Sequence, residues 1–166
     1  MTDTDTKTAI LDAAESLFVE QGFEGASLRS VTAMAKVNIA AIHYHFGSKD
    51  ALVQAVLERR LSPVNQERLE RLDALEAISD QSTLVLEDIL RALFEPALRM
   101  SGIGGGGNKN IARLIGRIFS EPSNSLQLFL KERFQIVFER FTAALRSVLP
   151  ELPEVDFFWR VHFMMG

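Results

Sequence analysis

"NIAAIHYHFGSKDAL" (residues 38–52) sets His43, Tyr44, His45 and Phe46 side by side, a density that suits a metal or catalytic site, a piece of core, or a recognition surface. The metal reading fails on spacing. Two histidines two apart on a helix diverge by ~200°, whereas a helical metal pair needs i, i+3 or i, i+4. No third ligand lies nearby, and no Ser/His/Asp or paired-carboxylate grouping accompanies them. Ile42 and Phe46, four apart, share a face and are expected in the core. That leaves Ile39, Ala40, His43 and Tyr44 on an opposite, exposed face, which needs a reason.

Working outward, every long segment carries helical periodicity and none alternates like a strand, so the fold is expected to be all-α. In residues 7–21, Ile10, Ala13, Ala14, Leu17 and Phe18 form one stripe; Thr6 is the candidate N-cap, and Gly22 ends the helix near Gln21. Ser27 caps a second helix from Leu28 to about Ala35, with Leu28, Val31, Met34 and Ala35 as its apolar positions. Lys36 and Val37 make a tight turn, and Asn38 opens a third helix through about His45. Two short helices so joined describe a helix-turn-helix. Gly47 breaks that helix and Ser48 caps a fourth, with Asp50 in its first turn. Pro63 is expected to kink or interrupt it, although the pattern resumes through Leu69, Leu72 and Leu75.

Further helices are expected over 83–100, with a bend at Pro96, over 109–119, over 125–149, and from Glu154 to the end. "SGIGGGG" (101–107) lacks the Gly-Lys-Ser/Thr of a phosphate loop and no strand precedes it, so it reads as a plain connection. "VDFFWRVHFMMG" is apolar on nearly every side and must bury two faces, one inside the domain and one against something else. It stops without a cap or polar tail, so the chain is expected to continue beyond Gly166.

With 47% hydrophobic and 24% charged residues the chain is an ordinary folded protein, and no run of 18 apolar residues or signal peptide argues for a membrane, so a cytoplasmic address follows. The absence of cysteine removes disulfides and thiolate metal sites; no cofactor is expected. A net charge of −4 speaks against a generic nucleic-acid binder. Residues 26–60 nevertheless carry five cations against two acids.

"ASLRSVTAMAKVNIAAIHYHFGSKDALVQAV", with Phe18, Gly22 and Phe23 before it, resembles the DNA-binding signature of TetR-type bacterial regulators over residues 7 to about 60. Lys36 stands where the family's turn usually has glycine, Ala40 where glycine is frequent, and His43 where tyrosine is common. The resemblance implies a sequence-specific regulator, a repressor rather than an enzyme, that binds a palindromic operator in double-stranded DNA as a homodimer and is released by a small-molecule effector. It divides the chain into a three-helix reading head, residues 1–48, and a larger helical bundle, 49–166, that binds effector and dimerises through its last helices.

Carried onto this sequence, Ile39, Ala40, Ala41, His43 and Tyr44 would face the groove, and Arg29, His45 and Lys49 would contact phosphates. Ser27 and Asn38 cap helix N-termini aimed at the anionic backbone. Ile39, Ala40 and Ala41 offer contacts to thymine methyls but no bidentate bonds, so His43 is the main polar reader, suited to guanine. Candidate effector contacts are Phe94, Met100, Arg113, Arg117, Phe129, Phe134, Trp159 and His162, each also explicable as packing. Arg113 and Arg117, four apart, suit an acidic amphiphile such as a fatty-acid derivative, or pairing with Glu121 or Glu139. Two readings compete: a helical interaction module that never meets DNA, and an enzyme in a helical bundle. The second needs Glu-x-x-His ligands, and Glu132 and Glu139 lack a matching histidine.

Overall fold

A computed structural model of the chain describes residues 2–78, 84–101, 109–120 and 123–165. Eight helices and no strand occur among them: α1 (Asp3–Gly25), α2 (Leu28–Ala35), α3 (Ile39–Phe46), α4 (Lys49–Ile78), α5 (Leu86–Ser101), α6 (Lys109–Ser120), α7 (Asn124–Val148) and α8 (Glu154–Met165). The glycine run beyond Ser101 and the Glu121 pairing lie outside the described residues.

The cap of helix α1, Thr2, lies four residues before the expected one, Thr6. The Thr2 hydroxyl accepts from the Asp5 amide at 3.2 Å while the Asp5 carboxylate accepts from the Thr2 amide at 3.0 Å, a reciprocal pair that satisfies two orphan donors. Thr6 instead donates its hydroxyl to the Thr2 carbonyl. Gly22 does break the helix: its φ of 81° and ψ of 171° turn the chain so that Phe23 returns edge-on to Phe18, ring centres 5.6 Å apart. One more turn, to Gly25, follows.

The other head caps fall where expected. Ser27 accepts from the Ser30 amide at 3.0 Å and Asn38 from the Ala41 amide at 2.8 Å. Between them Lys36 adopts a left-handed conformation, φ 55°, and the Val37 amide reaches back to the Thr32 carbonyl at 3.1 Å. A side chain there carries a steric penalty that glycine avoids. Lys36→Gly is therefore expected to stabilise the chain by about 0.5–1 kcal/mol, a rise of about 1–4 °C in Tm, while Lys36→Ala gains nothing. Thermal melts of the two variants decide it.

Helix α4 runs unbroken through Pro63, against expectation. Proline removes one amide and crowds the preceding turn, yet Leu61 and Val64 on either side are both buried, so packing overrides the local preference. Two hydrophobic clusters share this helix. Leu52, Val53, Val56, Leu57 and Leu61 join Ile10, Phe18, Val31 and Ile42 of the head together with Leu114, Leu126 and Phe129. Leu72 joins Ile89, Leu93, Val137, Phe141, Phe157 and Val161. Helix α8 buries Phe157 and Val161, with Met164 packed half-buried beside them, while Val155, Phe158, Trp159 and Phe163 are open. No helix among the described residues is long and apolar enough to cross a membrane.

Candidate nucleic-acid interface

Helix α3 divides as its spacing requires. Ile42 is fully buried and Phe46 half-buried against the head cluster, with the Lys7 ammonium 5.9 Å from the Phe46 ring centre. On the other side Ile39 is 43% and Tyr44 79% exposed, beside exposed Ala40 and His43, while Ala41 is half-buried. Met34 at the end of α2 is also exposed, at 48%, which corrects its assignment to the apolar stripe and adds an apolar side chain to the open surface of the helix-turn-helix.

The histidines differ sharply. His43 Nδ1 lies 2.9 Å from the Gly47 carbonyl, which can only accept, so this nitrogen carries the proton and donates. Its other nitrogen, Nε2, is left as the outward group. In the neutral ring Nε2 is an acceptor, which suits the amino group of cytosine or adenine; guanine needs the protonated ring. His45 is turned inward: its side chain is only 7% exposed, and Nε2 stands 3.6 Å from the Asp3 carboxylate on α1. The ring also meets Tyr44 and Phe46 at 5.0 and 6.1 Å. Such a side chain braces α3 against α1 instead of reaching outward to a phosphate.

Arg29, in the first turn of α2, is exposed and no ion pair reaches it among the described residues. Lys49 is half-buried and donates its ammonium to the Glu24 carbonyl at 3.0 Å, which holds the start of α4 to the end of α1. Its charge still sits at the same edge of the head. The hydroxyl of Ser27 and the amide oxygen of Asn38 are engaged by their own helices, which orients the free amides of α2 and α3.

The eight candidate effector contacts do not converge. Arg113 is exposed, and Arg117 donates to the Glu20 carbonyl at 3.3 Å, both on an open depression with Val19, Gly116 and Ser120. Met100 borders a different depression with Pro63, Val64, Pro96 and Ile111. Phe129 is buried in the head cluster with Phe134 packed beside it, whereas Phe94 packs on the second cluster. Trp159 and His162 lie on the open side of α8. Amphipathic spacing placed each residue on its helix but carried no information about which helices meet.

Charge ties the head to the bundle. Glu15 of α1, buried, takes Arg59 Nη2 at 2.6 Å and Arg60 Nη2 at 2.7 Å, both from α4, and Asp12 takes Arg59 Nη1 at 2.6 Å. Farther along, Ser125 of α7 donates to Asp50 at 3.3 Å.

Comparison with known proteins gives two family matches. Residues 10–56 match the model described as "Bacterial regulatory proteins, tetR family", and residues 91–166 match "Tetracyclin repressor-like, C-terminal domain". An HTH-type transcriptional repressor of Mycobacterium tuberculosis is 50% identical over 50 residues, 30% of this chain and 27% of that protein. The chain's match spans about a quarter of the length of such curated relatives. Among solved structures, the regulator PfmR from Thermus thermophilus superposes with a TM-score of 0.68 at 21% identity, over 94% of this chain and 78% of that one. A SmeT–triclosan complex superposes at 0.69 and 21% identity, over 95% and 73%. These two likenesses carry the fold.

Proposed function

The chain belongs to the TetR family of DNA-binding transcriptional regulators, and from that premise we propose that it is a cytoplasmic repressor that grips a palindromic operator as a homodimer and lets go when a small molecule binds. Residues 1–48 form the reading head, and residues 49–166 hold the effector and the dimer contact. The observation that carries the reading is the split of α3: Ile42 is buried while Ile39 and Tyr44 stand open on the second helix of a helix-turn-helix, the helix that meets base edges in the major groove.

Ile39, Ala40, Ala41 and Tyr44 supply shape and methyl contacts, and His43 supplies the polar contact. Arg29 and Lys49, with the amide ends capped by Ser27 and Asn38, position the head on phosphates. His45 acts through α3, as a brace. A face this poor in hydrogen-bonding groups leaves much of the specificity to two half-sites about 34–36 Å apart and to duplex shape.

Selection of bound duplexes from a random pool tests the reading and is expected to return a palindrome. Recovery of no preferred duplex, or of a non-repeated one, rejects it. On the selected operator, His43→Ala is expected to change base preference at one position per half-site, with discrimination worth about 1–3 kcal/mol, and to leave the salt slope alone. Arg29→Ala is expected to do the reverse, cutting the slope of log K against log salt by about 1 per subunit while weakening all operators alike. Equal losses on every operator for His43→Ala would remove it from the reading face.

We take the effector to be an acidic amphiphile that lodges among the bundle helices; SmeT, which shares the fold, forms a complex with triclosan. The effector works by favouring one of two arrangements of the heads. Arg117 on the Glu20 carbonyl joins bundle to head, Ser125 ties α7 to Asp50 at the start of α4 beside the head, and these are the contacts through which such a shift would pass.

A further inference from the structure

We propose that Arg68, held where α4, α5 and α7 meet, is the anchor for the carboxylate of that effector; the assignment rests on the regulator reading above. Three helices fix the side chain. Arg68 Nε donates to the Leu93 carbonyl of α5 at 2.8 Å, and Nη1 donates to Asn65 Oδ1 at 3.0 Å. Asn65, itself buried, donates its amide to the Arg133 carbonyl of α7 at 3.2 Å, and the Phe134 ring of α7 lies 6.0 Å from the guanidinium carbon. Every one of these partners is neutral.

That is the anomaly. The surrounding arginines are matched to acids: Arg71 to Glu67 and Glu95, Arg99 to Glu67, Arg133 to Glu58, Arg140 to Asp73 and Glu76. Among the described residues no carboxylate reaches Arg68. Burial alone pushes its pKa down, with no acid to restore it. Arginine does not lose its proton in a protein, so the charge persists, and a half-buried charge without a counter-ion carries a desolvation cost. A fold that keeps such a group gains something other than stability from it.

The geometry also selects the ligand. Nη2 makes no hydrogen bond among the described residues and is not sealed from solvent, and Nη1 keeps a second hydrogen. The two terminal nitrogens therefore present the paired donors that match a planar carboxylate. One cation balances one monoanion. The ring of Phe134 supplies apolar surface beside it, so the ligand is a carboxylate with an alkyl or aryl tail. Bound there it would touch three helices at once, which is what a switch between their arrangements requires.

Matched probes test the assignment. Hexanoate, decanoate and 3-phenylpropanoate, each beside its primary amide, are titrated into the full chain at constant ionic strength, with binding followed by calorimetry and melting. At least one acid is expected to bind at least tenfold tighter than its amide. In Arg68→Met that difference is expected to vanish while the apo protein melts as high as the parent or higher; in Arg68→Lys part of it returns. Acids and amides binding alike, no binding by any of the three acids, or an acid preference that survives in Arg68→Met would each overturn the proposal. A lower melt in Arg68→Met with the preference intact would show Arg68 to be a strut only. Operator binding by the same variants separates the outcomes: the anchor is wrong if duplex binding persists without acid preference, and the regulator reading is wrong if the parent binds no duplex.

Discussion

Phe158→Glu with Phe163→Glu on α8 is expected to give a folded monomer whose operator affinity falls by about 10²–10⁴. Phe158 is 59% and Phe163 79% exposed in the single chain, so charging them costs that chain little. They belong to an aromatic face: Phe158 stacks on His162 with planes 4° apart, and Trp159 stacks on Phe163 at 5.8 Å between centres. Val155 on the same helix, and Phe138 on α7, extend the exposed apolar surface. Burying one such ring against a partner is worth about 1.5–3 kcal/mol, and in a twofold contact each ring counts twice. Two new acids per subunit replace that gain with like-charge repulsion. Each head then binds its half-site alone and loses the effective concentration supplied by its tethered twin. Sedimentation with operator titration reads both consequences. A variant that stays dimeric with affinity within about threefold of the parent would move the dimer contact elsewhere.

The parts of this fold that are legible in sequence are those governed by residues close together in the chain. Ser27 and Asn38 each cap a helix through an amide three positions on, and Ile42 with Phe46 share a face because four residues make about one turn. Thr2 gives no such signal, because Asp3 to Lys7 carry no apolar period for its capping box to introduce. Pro63 misleads for the opposite reason: the local rule is sound, but the burial of Leu61 and Val64 by other helices outweighs it.

The proposed reading face is legible as a remainder, being what is left of α3 once Ile42 and Phe46 are assigned inward. His45 is not, since the group it meets, Asp3, is 42 positions away in sequence and on another helix. Lys49 meets a backbone carbonyl, which no residue type announces. Arg68 lies in "NQERLERLD", a run that reads as solvated surface; only the arrival of Leu93 and Phe134 encloses it. Arg113 and Arg117 draw attention by spacing, but Arg117 is engaged with the Glu20 carbonyl.

Glu15→Ala is expected to cost about 2–3 kcal/mol, or about 5–10 °C in Tm. Losing one member of a buried ion pair typically costs about 3–5 kcal/mol because its partner is stranded. Here the side chains of Arg59 and Arg60 are 26% and 34% exposed and can recover hydration, which lowers the figure. The dependence on pH identifies the cause. Burial acts to raise the Glu15 pKa, but the bonds and charges of Arg60 and Arg59 outweigh it, and the net displacement is below the ordinary value of 4.5. A depressed carboxylate stabilises the fold fully above its unfolded pKa and loses that contribution as pH falls through its folded one. The gap between parent and Glu15→Ala should therefore be constant at neutral pH and narrow below about 4.5, where the unfolded carboxylate begins to take up its proton. Urea unfolding at pH 7 and across pH 5–3 measures that gap; one that stays flat throughout would assign the loss to packing. Because this cluster fastens α1 of the head to α4, which runs on into the bundle, the same variant should weaken the response of operator binding to effector more than operator binding itself.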